Sequence, residues 1–251
     1  MWESIGTISI NAGNGNDTFT IDDLPSSTNL VLLGGEGNDT INLGEDDFDT
    51  LIDGDVLAVG GNGTDLVILS DVNDMGNDLW NIDGDTFTKG VGTGSLIAQG
   101  GTDLVRINGS NADVNYFVSA LSAEISLTIN ASSGDDELLL GNTNQDIDTN
   151  VAGNIIFNAG TGADFITFDD RGDGAGSDSY TVGGTSFSKT LAAFGSVGYS
   201  GVETMQLLAS PNADLINVSD IASTQRITIN GGNGNDTIAA VDGDPLRGCD
   251  I

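Results

Sequence analysis

The sequence has no histidine, a single cysteine and only six basic residues among its 251. Against these stand thirty-eight acidic residues, which give a formal net charge of −32. Nucleic acid and anionic membrane surfaces bind proteins through basic patches, so this charge excludes both as partners. Cys249 alone allows no internal disulfide. No apolar run is long enough to cross a bilayer as a helix, and we therefore expect no membrane insertion.

The ends of the chain carry no recognisable targeting signal. Residues 1–5 lack the basic region and apolar core of a signal peptide. The chain begins almost inside a strand pattern and stops just after its last repeat has begun. We expect residues 1–251 to form one repeat domain, either a piece of a longer protein or a protein exported without an N-terminal signal. The acidic composition, poor in lysine and histidine, favours an extracellular or cell-surface bacterial protein.

Glycine, in contrast, is abundant, and it is concentrated in turns that end in an aspartate. Successive aspartates are 22 to 50 residues apart, a spacing that is typical of stacked repeat proteins. The eight aspartates that end these turns are Asp17, Asp39, Asp65, Asp103, Asp136, Asp164, Asp214 and Asp236.

An alternating strand follows each of these aspartates. The residues two and four positions after the aspartate are apolar in all eight repeats, for example Phe19 and Ile21 after Asp17. The intervening positions are apolar only about as often as the chain average of 38%. A second alternating strand precedes each turn, with one imperfect copy at Gly94 and Leu96. Alternation with period two predicts strands with one buried face.

These repeats predict an all-β fold, a right-handed parallel β-helix or β-roll-like solenoid of about eight coils. Repetition at one phase, with both flanking strands apolar on the same side, favours coils wound in parallel. Parallel crossovers are almost always right-handed. A meander of antiparallel hairpins is the alternative, because Asn14-Gly15 can form a type I′ turn.

Two long insertions have similar sequences, and their equivalent residues are 100 residues apart. Trp80, Phe87 and Lys89 in the first match Tyr180, Phe187 and Lys189 in the second, and these are the only two lysines. Both segments read as hairpin insertions, at about 76–92 and 176–200. One interpretation is a flap that packs over outward-facing residues such as Leu66, Ile68 and Phe165. The other is an aromatic platform that binds carbohydrate.

The turns resemble the glycine-rich nonapeptide GGxGxDxUx of RTX, or haemolysin-type, calcium-binding proteins. Residues 34–42 and 231–239 match that pattern fully, and residues 60–68 nearly so. The arrangement is also similar to large repeat-built bacterial exoproteins in which single turns alternate with a Tyr-Ser-Gly-Val-Glu element, here residues 199–203. The resemblance implies a parallel β-roll with calcium held between successive turns by glycine carbonyls and the aspartate.

Calcium is therefore the predicted cofactor. Stacked coils place like-charged aspartates about 5 Å apart, and a divalent cation between them would turn their repulsion into binding. The alternative is that aspartate and asparagine only close the turns by hydrogen bonds to their own backbone. Asp103 and Asp214 depart most from the pattern and are not assigned as ligands. The predicted metal residues are Gly13, Gly15, Asp17, Gly35, Gly37, Asp39, Gly61, Gly63, Asp65, Asp136, Asp164, Gly232, Gly234 and Asp236.

Two classes of function remain open. The first is a calcium-binding structural or adhesive module, not an enzyme, whose partners are Ca2+ and either surface polysaccharide or other repeats of the same protein. The second is a polysaccharide-active β-helix, either a lyase or a hydrolase. A lyase needs a basic residue as general base, and a hydrolase needs two or three convergent carboxylates. The basic residues available are Lys89, Lys189, Arg106, Arg171, Arg226 and Arg247.

Overall fold

The protein is all-β and is built on two long, mostly parallel sheets. The structure is a computed structural model, and it describes residues 6–90, 94–141, 143–174, 176–190, 194–240 and 249–250. The predicted insertions therefore extend at 91–92 and 191–193 into residues outside the described ones.

The first sheet contains twelve strands. In spatial order they are β1 (Thr7–Asn14), β3 (Asn29–Glu36), β5 (Val56–Asn62), β9 (Ser95–Gln99), β8 (Thr86–Lys89), β7 (Leu79–Asp83), β11 (Asn115–Val118), β13 (Glu137–Leu140), β15 (Phe165–Asp169), β19 (Thr204–Leu208), β21 (Arg226–Asn230) and β23 (Cys249–Asp250).

The second sheet contains eleven strands. In spatial order they are β2 (Thr18–Ile21), β4 (Thr40–Leu43), β6 (Asp65–Ser70), β10 (Thr102–Asn108), β12 (Ser126–Asn130), β14 (Asn154–Asn158), β18 (Val197–Ser200), β17 (Ser186–Lys189), β16 (Ser179–Gly183), β20 (Leu215–Ser219) and β22 (Thr237–Ala240).

The chain passes back and forth between the two sheets, and equivalent strands pair in parallel. Thr18 pairs with Thr40, and Thr40 pairs with Leu66, so the position after each aspartate turn is kept in register. The described strands thus confirm a parallel arrangement and contradict a meander of hairpins. Such sheets are compatible with a β-helix.

The two insertions are the places where the strands become antiparallel. In each, three consecutive strands stay in one sheet, and the middle strand, β8 or β17, runs antiparallel to both neighbours. The flap interpretation is wrong, because these strands are members of the sheets. Trp80 and Phe87 are buried in the core, as are Tyr180 and Phe187.

The core lies between the sheets and is filled by the alternating apolar residues. Leu43, Leu140 and Phe168 are fully buried, and Phe168 stacks on Phe187 with ring centroids 3.8 Å apart. Of the sixteen positions two and four after the aspartates, twelve are buried. The other four, Phe19, Ile21, Ile238 and Ala240, lie in the first and last of these repeats.

Two one-turn helices complete the described structure, α1 (Phe48–Leu51) and α2 (Ile147–Asn150). Each begins after an aspartate, Asp47 or Asp146, whose side chain accepts a hydrogen bond from the backbone N–H three residues later. Across the described ranges, neither helix has the length or the apolar character needed to cross a membrane.

Adjacent leucines on β13 provide a test of which face is buried. Leu140 is fully buried and Leu139 only partly, although both lie on the same strand. We expect Leu140→Ala to lower the free energy of unfolding by about 2–5 kcal/mol, because it leaves a cavity. Leu139→Ala, the matched control, should cost clearly less. Equal losses, measured by urea denaturation, would contradict this assignment.

Candidate functional site

The turn aspartates form ladders in which each carboxylate is bonded to the repeat before it. In the first ladder the Asp17 N–H donates to Asp39 Oδ1 at 2.8 Å, and the Asp39 N–H donates to Asp65 Oδ1 at 2.7 Å. The Asp65 N–H in turn donates to Asp103 Oδ2 at 2.8 Å. Asp103, which sequence analysis set aside, is therefore the last carboxylate of this ladder.

A second ladder follows the same rule. The backbone N–H of Val114 donates to Asp136 Oδ1, that of Asp136 to Asp164 Oδ1, and that of Asp164 to Glu203 Oε2, all at 2.9 Å. Glu203 is the glutamate of the Tyr-Ser-Gly-Val-Glu element, which therefore supplies the final acceptor.

A third ladder joins Asp178, Asp214 and Asp236. The Asp178 N–H donates to Asp214 Oδ1 at 2.9 Å, and the Asp214 N–H donates to Asp236 Oδ1 at 3.0 Å. Both oxygens of Asp214 also accept from the Ser210 hydroxyl at 3.0 Å. Both oxygens of Asp214 therefore have a hydrogen-bond donor.

The second oxygen of most ladder aspartates is buried and has no hydrogen-bond donor. Within the described part of the chain, this holds for Oδ2 of Asp17, Asp39, Asp65, Asp136 and Asp164. The last four of these residues are no more than 2% exposed. A buried carboxylate oxygen without a partner carries a substantial desolvation cost. These atoms are therefore oriented to accept a cation or a proton.

Backbone carbonyls lie beside two of these oxygens. A Cβ added to Gly34 would collide with both Asp39 Oδ2 and the carbonyl oxygen of Gly60. A Cβ on Gly60 would collide in the same way with Asp65 Oδ2 and the carbonyl oxygen of Gly101. The space beside Gly34 and the space beside Gly60 are thus each bordered by a carboxylate oxygen and a carbonyl oxygen. These are the ligand types that calcium prefers.

All the glycines predicted as metal residues have positive φ. These are Gly13, Gly15, Gly35, Gly37, Gly61, Gly63, Gly232 and Gly234. Successive turns also stack closely, since a Cβ on Gly37 would overlap the Gly15 carbonyl. The carbonyls found beside the free aspartate oxygens belong to Gly60 and Gly101, so the predicted glycines shape the turns, while other glycines contribute those carbonyls.

Asparagines form a parallel set of links in the same turns. Asn16 Oδ1 accepts from the Asn38 N–H at 2.8 Å, and Asn38 Oδ1 accepts from the Thr64 N–H at 2.9 Å. These bonds point in the opposite direction to the aspartate ladder. These hydrogen bonds join successive repeats, whereas the alternative to calcium considered above was hydrogen bonds within each turn.

Burial raises the pKa of several ladder carboxyl groups. For Asp136 the pKa is raised to about 7 by burial and by neighbouring carboxylates, although the hydrogen bond from Val114 opposes the shift. Burial also raises the pKa of Asp65 and of Asp164. These directions follow from the crowding of like charges in a poorly solvated column.

The two lysines lie at the centres of separate carboxylate clusters. In the first lysine cage, Lys89 Nζ is 2.7 Å from Asp71, 2.8 Å from Asp78, 2.9 Å from Asp74 and 3.3 Å from Asp49. The Asp71 side chain also accepts from the Phe48 N–H at 3.1 Å. The ammonium is buried, so β8 is fixed to the preceding loop and helix.

The second lysine cage repeats this arrangement 99 to 100 residues later. Lys189 Nζ is 2.6 Å from Asp170, 2.9 Å from Asp148, 3.1 Å from Asp173 and 3.2 Å from Asp178. Tyr180 adds a hydroxyl that donates to Asp170 at 2.6 Å. The cages were not predicted from the sequence, although an offset of 99 or 100 residues relates each aspartate of the first cage to its counterpart in the second, as it does the two lysines.

The pKa values of several cage residues are shifted from their ordinary values. Burial opposes the ammonium charge, but the surrounding carboxylates outweigh it and raise the pKa of both lysines. Burial and a hydrogen bond with Asp74 raise the pKa of Asp78 to about 7. Burial likewise raises the pKa of Asp178 to about 6. Acidic triads within both cages are close enough to hold a metal ion.

No protein-family model, curated protein or solved structure matches this chain. Its function is therefore inferred from the ladders and cages themselves.

Gly37 allows a direct test of the turn geometry. It has a φ of 120° and lies against the Gly15 carbonyl, so Gly37→Ala introduces both strain and a clash. We expect a loss of at least about 1–3 kcal/mol in the free energy of unfolding. Gly198→Ala is the control, because a Cβ there meets nothing within 4 Å. A neutral Gly37→Ala would refute the tight stacking of the turns.

The raised pKa of Asp136, about 7, predicts how stability depends on pH in the absence of divalent cations. The folded state binds this proton more tightly than the unfolded chain, whose carboxyl has the ordinary pKa of 3.8. The stabilisation is complete below that value and is lost as the pH rises through about 7.

In chelator, we therefore expect Tm to fall as the pH is raised from about 5 to about 8. Asp136→Asn mimics the protonated side chain. Near the upper end of this pH range its Tm should therefore be higher than that of the wild type, and its Tm should depend less on pH. Identical pH profiles for the two proteins would contradict the assignment.

Proposed function

We propose that this chain is a calcium-binding structural or adhesive module of a secreted or cell-surface protein. Its strands wind as a right-handed solenoid of about eight coils, and calcium stiffens the turns on which the aspartate ladders lie. The partners are Ca2+ together with surface polysaccharide or other repeats of the same protein.

The observation that carries this proposal is the buried, unpartnered Oδ2 of the ladder aspartates. The other oxygen, Oδ1, already accepts from a backbone N–H in Asp39, Asp65, Asp136 and Asp164, so these side chains are fixed before any ion arrives. A fixed carboxylate beside a backbone carbonyl is a hard oxygen donor set, which suits calcium and does not suit soft transition metals.

In the first ladder the residues that would hold calcium are Asp39 with Gly60, and Asp65 with Gly101. Asp136 and Asp164 offer equivalent free oxygens in the second ladder. Neighbouring carboxylates about 5 Å apart repel each other by roughly 1 kcal/mol at water's dielectric constant, and by more where they are buried. A bound divalent cation removes this repulsion, and it also offsets part of the charge of −32.

The surroundings of the basic residues do not favour the polysaccharide-lyase alternative. Lys89 and Lys189 are buried and their pKa values are raised, so neither is suited to accept a proton from a substrate. Arg171 is paired with Asp169, through Nε at 2.9 Å and Nη2 at 2.7 Å. This ion pair links the half-exposed Arg171 side chain to the end of β15.

Thermal unfolding with and without calcium tests the proposal. Extracellular calcium modules bind with dissociation constants of about 0.1–1 mM, so about 5 mM calcium should stabilise by roughly 1–2 kcal/mol per site. Tm should therefore rise in calcium relative to excess chelator at matched ionic strength. The double variant Asp39→Asn/Asp65→Asn should lose part of this rise.

The matched control is Asp22→Asn/Asp23→Asn, which removes the same charge from two exposed aspartates that follow β2 at the end opposite Asp17. It should keep the full response to calcium. If Tm is unchanged by calcium in the wild type, or if both double variants lose the response equally, the calcium proposal fails. The ladders would then act only as hydrogen-bonded turns.

A further inference from the structure

The two lysine cages lie apart from the turns of the first two ladders that are proposed to bind calcium. Asp65 and Asp71 stand at opposite ends of β6, and Asp164 and Asp170 stand at opposite ends of β15. Six residues of extended strand span about 20 Å. An ion in either of these ladders therefore cannot also neutralise the cage at the other end of the same strand.

Each cage contains more negative charge than its lysine can balance. Four carboxylates and one ammonium give each cage a formal charge of −3 when all are ionised. An ammonium group has three N–H donors, which is one fewer than the carboxylates around it. Buried ionic groups are costly unless charge and hydrogen bonds are both satisfied, so the lysine alone leaves a deficit of positive charge and of donors.

An unpartnered atom marks where this deficit falls in the second cage. Asp178 is 3% exposed, and its Oδ2 faces both Lys189 Nζ and the Tyr180 hydroxyl at 3.2 Å. Its Oδ1 has no hydrogen-bond partner in the part of the chain that the structure describes. Asp178 also converges with Asp148 and Asp173, with ligand atoms of all three within 4.8 Å of one another.

We propose that the second cage binds a divalent cation through Asp148, Asp173 and Asp178, which bridge the ion to the Lys189 ammonium. The first cage is its duplicate, with Asp49, Asp74 and Asp78 bridging an ion to Lys89. An all-carboxylate donor set selects hard cations, of which calcium is the type. Each cage would then join an inserted antiparallel strand to its neighbouring loop through a lysine and an ion together.

Trp80 makes the first cage accessible to a local probe. It follows Asp78 by two residues, and its ring packs at 5.2 Å on Phe48, the residue beside Asp49. The only other tryptophan, Trp2, lies outside the described residues and is replaced in a Trp2→Phe background. Terbium, a calcium substitute that luminesces when a nearby excited tryptophan transfers energy to it, then reports on ions close to Trp80.

The experiment titrates terbium into the Trp2→Phe protein and into three further variants in that background, two in the first cage and one in the first ladder. We expect tryptophan-sensitised emission, with apparent affinity reduced about tenfold or more by Asp74→Asn. Asp49→Asn gives a second measurement. Either substitution should be tolerated, because the Asp49 and Asp74 side chains are partly exposed and Lys89 keeps its other carboxylate partners. Asp39→Asn/Asp65→Asn removes charge from the first ladder only and should leave the emission unchanged.

Calorimetric titration with calcium tests the second cage in the same way. Asp148→Asn should lower the number of bound ions by one, whereas Asp22→Asn/Asp23→Asn should not change it. Absence of sensitised emission in the parent, or emission that is lost in the ladder variant and kept in both cage variants, would overturn the proposal. An unchanged ion count in Asp148→Asn would overturn it for the second cage. Failure here would leave the ladder sites untouched, because those are tested by separate variants.

Discussion

The structure depends on a hydrogen bond between repeats, from the backbone N–H of one turn to the carboxylate of the next aspartate. This bond sets the register of neighbouring turns, as Asp17, Asp39 and Asp65 illustrate. It also forces successive turns into close contact, which only residues without a Cβ tolerate at positions such as Gly34 and Gly60. The glycine-rich turns, the parallel strands and the burial of the aspartates all follow from it.

The same interaction creates the main electrostatic problem of the fold. Aligned carboxylates repel one another, and burial disfavours their charge, so the pKa of Asp136 is raised to about 7. The repulsion between carboxylates is addressed in two different ways in the two kinds of site. At the insertions the chain supplies its own cation, a buried lysine, to four aspartates. Along the first two ladders it leaves Oδ2 without a donor, within the described part of the chain, in Asp39, Asp65, Asp136 and Asp164. An open oxygen of this kind is what a site for an external cation requires.

Much of the fold could be predicted from the sequence because strand alternation is a local signal. The buried positions of Leu43, Leu140 and Phe168 follow directly from counting two and four residues from each aspartate. The ladders beyond Asp65 were harder to predict. After β10 the aspartate turns move to the connection from the second sheet to the first, and they return after the second insertion. Only strand pairing in space shows that Glu203 and Asp178 belong to ladders. Each cage joins residues from a helix, a loop and one strand, so no short motif encodes it.

Calcium binding depends most directly on the open oxygen of the ladder aspartates, and a crystal structure grown with calcium tests it. Anomalous scattering should place calcium beside Oδ2 of Asp39 and Asp65, at the 2.3–2.6 Å typical of calcium and oxygen and within reach of the Gly60 and Gly101 carbonyls. A well-ordered structure from saturating calcium, with no anomalous peak along the ladders and these oxygens bonded only to water or protein donors, would contradict the account.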